Sequence, residues 1–119
     1  MLIAFIAGPF RGSNPWEVEQ NIRRAEEVAF KVAELGIMPL CPHTNTRFFD
    51  GTLTDEFWLE GTSELLRRCD MVVLAEKDAE SKSMGTLNEC IEARYHNMPV
   101  YSSVGELEKK LFNDTEDDR

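Results

Sequence analysis

Met71-Val72-Val73-Leu74-Ala75, followed eight residues on by Ser83-Met84-Gly85-Thr86-Leu87-Asn88-Glu89, is the stretch that decides the fold. A short apolar run bounded by polar residues reads as a buried strand. Residues 76–82 are polar or charged except Ala79 and read as a loop, and a helical pattern then covers 85–97. A glycine-containing loop passing into a helix start exposes N–H groups that no intrahelical carbonyl can take. Such a place can hold an anion. One turn further on stands a carboxylate, Glu89.

The same alternation extends outward in both directions. Leu2 to Ala7 reads as a buried strand. The apolar start lacks a basic segment, stops at Gly8-Pro9 and is too short to span a bilayer. Asn14, Pro15 and Glu17 form a helix-start signal: an N-cap, a proline at the first position and a capping-box acid. Ile22, Ala25, Val28, Ala29, Val32 and Leu35 then recur at helical spacing, predicting a helix over 15–35 ended by Gly36. Ile37 to Cys41 is a second strand. Residues 42–54 are polar and irregular, Thr54 caps a helix to about Cys69, Val100-Tyr101-Ser102 is a fourth strand, and 104–112 is a last helix. Strands alternating with helices imply a parallel sheet covered on both faces. The expected organisation is one domain over 1–112 with an acidic tail over 113–119.

Composition bounds the partners. The 119 residues are 42% hydrophobic and 29% charged, with a net charge of −9. That balance argues against a nucleic-acid polymer or an anionic membrane, both of which need a basic face. It leaves open a small phosphorylated ligand held by one local arginine. Three cysteines and no export pattern predict reduced thiols in a cytoplasm. Cys41, His43, Cys69, Cys90 and His96 lack the paired spacing of a zinc site, so neither metal nor cofactor is expected.

In parallel α/β sheets ligands bind at the carboxyl ends of strands. The loops there are 8–14, 42–53 and 76–86. Gly8-Pro9-Phe10-Arg11-Gly12 offers two glycines that let backbone approach a ligand, a guanidinium suited to phosphate, and an aromatic ring able to stack on a base. Its bland reading is a surface turn with a solvated arginine. His43 enters the same edge as a candidate acid or base. Glu89 has the bland alternative of pairing with Arg94 or His96. The positive end of its helix is expected to keep it ionised, and an ionised carboxylate beside a sugar can act as a nucleophile. Asp70 reads as a structural hydrogen-bonding residue, and Trp16 and Trp58 as packing residues.

Gly8 to Gly12 and Ser83 to Glu89, with Cys69-Asp70-Met71-Val72-Val73-Leu74, resemble the nucleoside 2-deoxyribosyltransferase-like superfamily. Two branches are similar: the deoxynucleoside 5′-monophosphate N-glycosidases, and short proteins of the DUF4406 type. The latter resemble this chain in the Ala-Gly-Pro start, in Pro39-Leu40-Cys41-Pro42-His43 and in Trp58. The resemblance implies a Rossmann-like (flavodoxin-like) three-layer sandwich with a four- to five-stranded parallel sheet. It implies Glu89 as nucleophile on the N-glycosidic bond of a nucleotide or nucleoside. Ser83 and Gly85 would bind the 5′-phosphate, with Gly8, Arg11 and Gly12 bordering the nucleotide. A homodimer or higher homo-oligomer is implied as well. One departure stands out. Relatives carry a catalytic aspartate eight residues before the Asp of the third strand, and here that place is Thr62, followed by Ser63. The alternative expectation is therefore a nucleotide- or nucleotide-sugar-binding module without catalysis.

Overall fold

Four apolar runs pair as parallel strands. The computed structural model describes residues 1–49 and 51–117. Strand β1 (Ile3–Ala7) is followed by α1 (Pro15–Glu34), β2 (Met38–Leu40), α2 (Pro42–Asn45), α3 (Asp55–Arg67), β3 (Met71–Leu74), α4 (Ala79–Lys82), α5 (Met84–Tyr95), β4 (Val100–Tyr101) and α6 (Val104–Asp117). The sheet order is β2-β1-β3-β4 with every pairing parallel. Ile3 sits opposite Met38, Ala4 opposite Met71, and Val72 opposite Val100.

Side chains alternate across a strand, and β1 splits accordingly between two cores. Ala4 and Ile6 face Ala25, Ala29 and Val32 of α1 and Leu107 of α6. Phe5 and Ala7 face the other way, with Leu66 of α3, Ala79 of α4, and Cys90 and Ala93 of α5. The molecule is thus an α/β three-layer sandwich, Rossmann-like, with four strands. Among the described residues no helix is long and apolar enough to cross a membrane.

The local signals explain the element ends. Asn14 Oδ1 accepts from the Glu17 N–H at 2.9 Å, and Glu17 Oε2 accepts from the Ser13 N–H at 2.6 Å. Past the C-cap Leu35, Gly36 takes a positive φ of 82°. Thr54 caps α3 through the Phe57 N–H. Asp70 holds the start of β1, its Oδ2 accepting from the Ile3 N–H at 2.7 Å, which is the structural role expected of it. Three expectations shift. Segment 76–82 contains a one-turn helix, α4, because Ala79 is fully buried and pins it to the core. Likewise α2 forms one turn inside 42–54, started by Pro42. Helix α6 continues to Asp117 rather than ending at 112, so the expected tail is helical over 113–117; positions 118–119 lie outside the described residues.

Candidate functional site

In the order β2-β1-β3-β4 the chain turns first to one side of β1 and then to the other. The switch in direction falls between β1 and β3, and a crevice opens at the carboxyl ends of such a strand pair. Here the loop 8–14 leaves β1, and residues 75–83 leave β3.

The β1 loop is held from two sides, by His43 of α2 and Asn21 of α1. His43 Nε2 donates to the Pro9 carbonyl at 2.9 Å. Phe10 meets the His43 ring edge-on, with centroids 5.6 Å apart. Asn21 Nδ2 donates to the carbonyls of Phe10 and Arg11, both at 3.2 Å. Both glycines answer to packing within the chain. A Cβ on Gly8 would stand 2.7 Å from the Ala75 Cβ, and one on Gly12 would stand 2.6 Å from the Glu17 Cβ. The reading of these glycines as openings for a ligand is therefore not needed to explain them. Arg11 points into solvent, with the Asp55 carboxylate 3.6 Å away and both side chains exposed. An exposed pair of this kind contributes about 0–1 kcal/mol, so Arg11 can leave it at little cost.

His43 is 7% exposed, and its Nδ1 has no hydrogen-bond partner. Burial pushes its pKa below the ordinary histidine value, and the Pro9 and Gly8 carbonyls oppose this only in part. The ring is neutral at pH 7, with its proton on Nε2 toward Pro9. It ties the β2 exit to the β1 exit, a role the sequence did not suggest.

At the β3 exit, the Ser83 hydroxyl accepts from the Thr86 N–H at 3.2 Å and caps α5. Accepting that bond leaves the Ser83 O–H free to donate outward. Met84 and Gly85, as first residues of a helix, present N–H groups with no intrahelical carbonyl to meet. Gly85 differs from Gly8 and Gly12. A Cβ there would meet only Ser83 Oγ, at 3.7 Å, so the chain's own packing does not require a glycine.

Glu89 lies four residues after Gly85, on the same stripe of α5. Residues four apart in a helix lie one above the other, so Glu89 stands one turn beyond Gly85. No hydrogen bond or ion pair to Glu89 is present among the described residues. The pairing with Arg94 weighed in the sequence does not form, because Arg94 binds Glu80 at 2.6 Å. Burial raises the Glu89 pKa to about 7, with the Glu92 charge adding to it. The expectation that the helix end keeps Glu89 ionised is thus corrected: lost hydration outweighs the dipole.

On the neighbouring helix, Thr62 is half-buried. Ser63 Oγ lies 2.6 and 2.7 Å from the two Glu92 carboxylate oxygens, and Arg67 Nη1 donates to Glu92 at 2.8 Å. Sequence reasoning passed over Glu92, Arg67 and Asn21, and it noted Ser63 and Asp55 near the expected acid position without giving either a partner. Glu92 was within reach of it, being three residues past Glu89 on one helical face; the others act only through tertiary pairing. Among the described residues no group of three His, Cys, Asp or Glu side chains is placed to hold a metal ion.

With this geometry in view, a family model covers residues 2–103, and its description is a domain of unknown function, DUF7768. The chain belongs to the DUF7768 family. No curated protein matches it. The matched span holds all four strands, the segments that leave β1 and β3, and the whole of α5.

Proposed function

We propose that this DUF7768 domain cleaves or transfers across the N-glycosidic bond of a (deoxy)nucleoside 5′-monophosphate or related nucleoside, with Glu89 as nucleophile. The observation that carries this reading is Glu89 itself: a mostly buried carboxyl group with no hydrogen-bond or ion-pair partner among the described residues, one helical turn past a glycine that the chain's packing does not require. A structural carboxylate would be paired or solvated. The outward O–H of Ser83, the free N–H groups of Met84 and Gly85, and the Arg11 guanidinium are the donors for a 5′-phosphate. Phe10 supplies an aromatic edge for the base.

In the reaction, ionised Glu89 attacks C1′, the C1′–N bond breaks, and the base leaves with a proton from solvent. Water then attacks the glycosyl ester, releasing the sugar phosphate and restoring the carboxylate; a second base in place of water gives transfer. A desolvated carboxylate favours such attack, because little hydration must be stripped from it.

The test is release of free base from deoxynucleoside monophosphates, followed by chromatography. Glu89→Gln is expected to cut the rate by at least about a thousandfold, roughly 4 kcal/mol of transition-state stabilisation. Equal release by the variant, or none by the wild type, rejects the reading. A second reading, a nucleotide-binding module without turnover, is favoured by Thr62 at the expected acid position and by His43 being committed to Pro9. It predicts thermal stabilisation by a nucleotide, about 2.7 kcal/mol at a hundred times the dissociation constant. Arg11→Ala would reduce that shift, and no base would appear.

A further inference from the structure

We propose that Glu92, fixed by Ser63 and Arg67, is a positioning residue for Glu89: its anchored carboxylate sets the protonation state in which Glu89 meets its ligand. This rests on the assignment of Glu89 as the reacting group. Glu89 and Glu92 are three residues apart in α5 and share one face. Exposed carboxylates at that spacing swing apart into water. Glu92 is not free to do so, because Ser63 Oγ holds both of its oxygens at 2.6 and 2.7 Å and Arg67 Nη1 holds one at 2.8 Å. Arg67 Nη1 also donates to Ser63 Oγ at 3.2 Å, closing a three-membered cluster between α3 and α5.

The other charged groups nearby are engaged elsewhere or oppose one another. On α3, Glu64 lies 3.6 Å from Arg67 and 3.8 Å from Arg68, and Glu60 is exposed. Across α4, Glu80 is bound to Arg94. On α5 itself, Cys90 is held neutral by burial. Glu92 is the charge that acts on Glu89, in the same direction as burial. The cluster also takes in Ser63, the neighbour of Thr62, where the resemblance places an acid. A carboxylate thus comes to this segment from α5 instead, and acts through Glu89 rather than on the ligand.

The experiment is a carboxyl-carbon NMR titration of Glu89 in the intact chain without ligand, assigned by loss of the signal in Glu89→Gln. The wild-type midpoint is expected near 7. Glu92→Gln should lower it by roughly half a unit or more, the size of one unit charge acting over a few ångströms of partly screened space. In Arg67→Met the Ser63 hydroxyl still reaches both Glu92 oxygens and keeps that carboxylate in place, so the change removes only the compensating cation and should raise the midpoint. A purely structural role for the cluster would move neither midpoint, or both the same way. An unmoved or raised midpoint in Glu92→Gln, or a lowered one in Arg67→Met, overturns the proposal. Should Glu92→Gln fail to fold, the direction of the Arg67→Met shift decides alone. Base release against pH supplies the second readout, its acidic limb moving with the NMR midpoint in each variant. Because the titration needs no turnover, absence of base release with the two opposite shifts intact rejects the enzyme reading while keeping the coupling of the two carboxylates. Base release with no shifts rejects the coupling alone.

Discussion

A carboxyl group that loses its water and gains no partner resists ionisation, and Glu89 is in that position, at about 7 against an ordinary 4.5. The sign of the consequence for stability follows from which state holds the proton. Below pH 4.5 Glu89 is protonated in both the folded and the unfolded chain and costs nothing. Between 4.5 and 7 the folded chain keeps a proton that the unfolded chain releases, so stability falls as pH rises. Above 7 the full penalty stands, about 3 kcal/mol for a shift of this size. Glu89→Gln is therefore expected to stabilise the fold by up to about 3 kcal/mol at pH 8 and by almost nothing at pH 4, read from urea unfolding at the two values. An equal change at both would show that Glu89 does not carry this burden. His43 works in the opposite sense. Its pKa is lowered by burial, so the unfolded chain takes up a proton more readily and stability is lost as pH falls through the ordinary histidine value near 6.5. The sequence announced both residues as chemically interesting. It did not show that one would be desolvated without a partner and the other committed to a backbone carbonyl, because each depends on chain that lies far away in sequence.

The start of α5 joins stability and ligand binding at the scale of one element. Ser83→Ala removes the cap on the Thr86 N–H and is expected to cost about 1 kcal/mol. Gly85→Ala goes the other way, gaining a few tenths to about 1 kcal/mol, since the new Cβ meets nothing closer than 3.7 Å. Both changes should weaken phosphate binding, one by removing a donor and the other by covering the bare turn. Thermal melts of the two variants, with and without a nucleoside monophosphate, separate the effects: opposite shifts without ligand, and smaller ligand-induced gains in both. If Gly85→Ala keeps the full ligand-induced gain, the bare turn is not part of the site. Legibility at this scale followed signal length. Helix α1 was readable because Asn14, Pro15, Glu17, the apolar stripe and Gly36 agree over 20 residues. The single turns α2 and α4 were not, since four residues carry no period to read. Gly8 was legible as a special position but not for the right reason. Its constraint is the Ala75 Cβ, 67 residues further along the chain.

Across the whole molecule, the alternating pattern already implied parallel strands, but the apolar runs are interchangeable as sequence, so the order β2-β1-β3-β4 could not be read from them. The order matters because it puts the exits of β1 and β3 side by side, where Gly8 packs against Ala75. The pairings of Arg11 with Asp55 and of Ser63 with Glu92 were hidden for the same reason. The sheet also divides the interior into two layers, and the three cysteines report on them separately. Cys41 belongs to the layer beneath α1 and α6, while Cys69 and Cys90 belong to the layer beneath α3 and α5. All three are buried, and burial pushes the thiols of Cys69 to about 11 and Cys90 to about 12, with Cys41 also raised. Only the thiolate reacts with an alkylating reagent, so at pH 8 labelling requires the structure to open. Cys41 follows β2, an edge strand of three residues paired on one side only, and such edges open at lower free energy than a sheet centre. Iodoacetamide labelling followed by mass spectrometry is therefore expected to modify Cys41 first. Cys69 and Cys90 should follow later and together, since they share one packed cluster and are released by the same opening. Labelling of Cys90 ahead of Cys41 would mean that the α3–α5 layer opens independently of the sheet, and that the carboxylates of α5 sit on the more mobile side of the molecule.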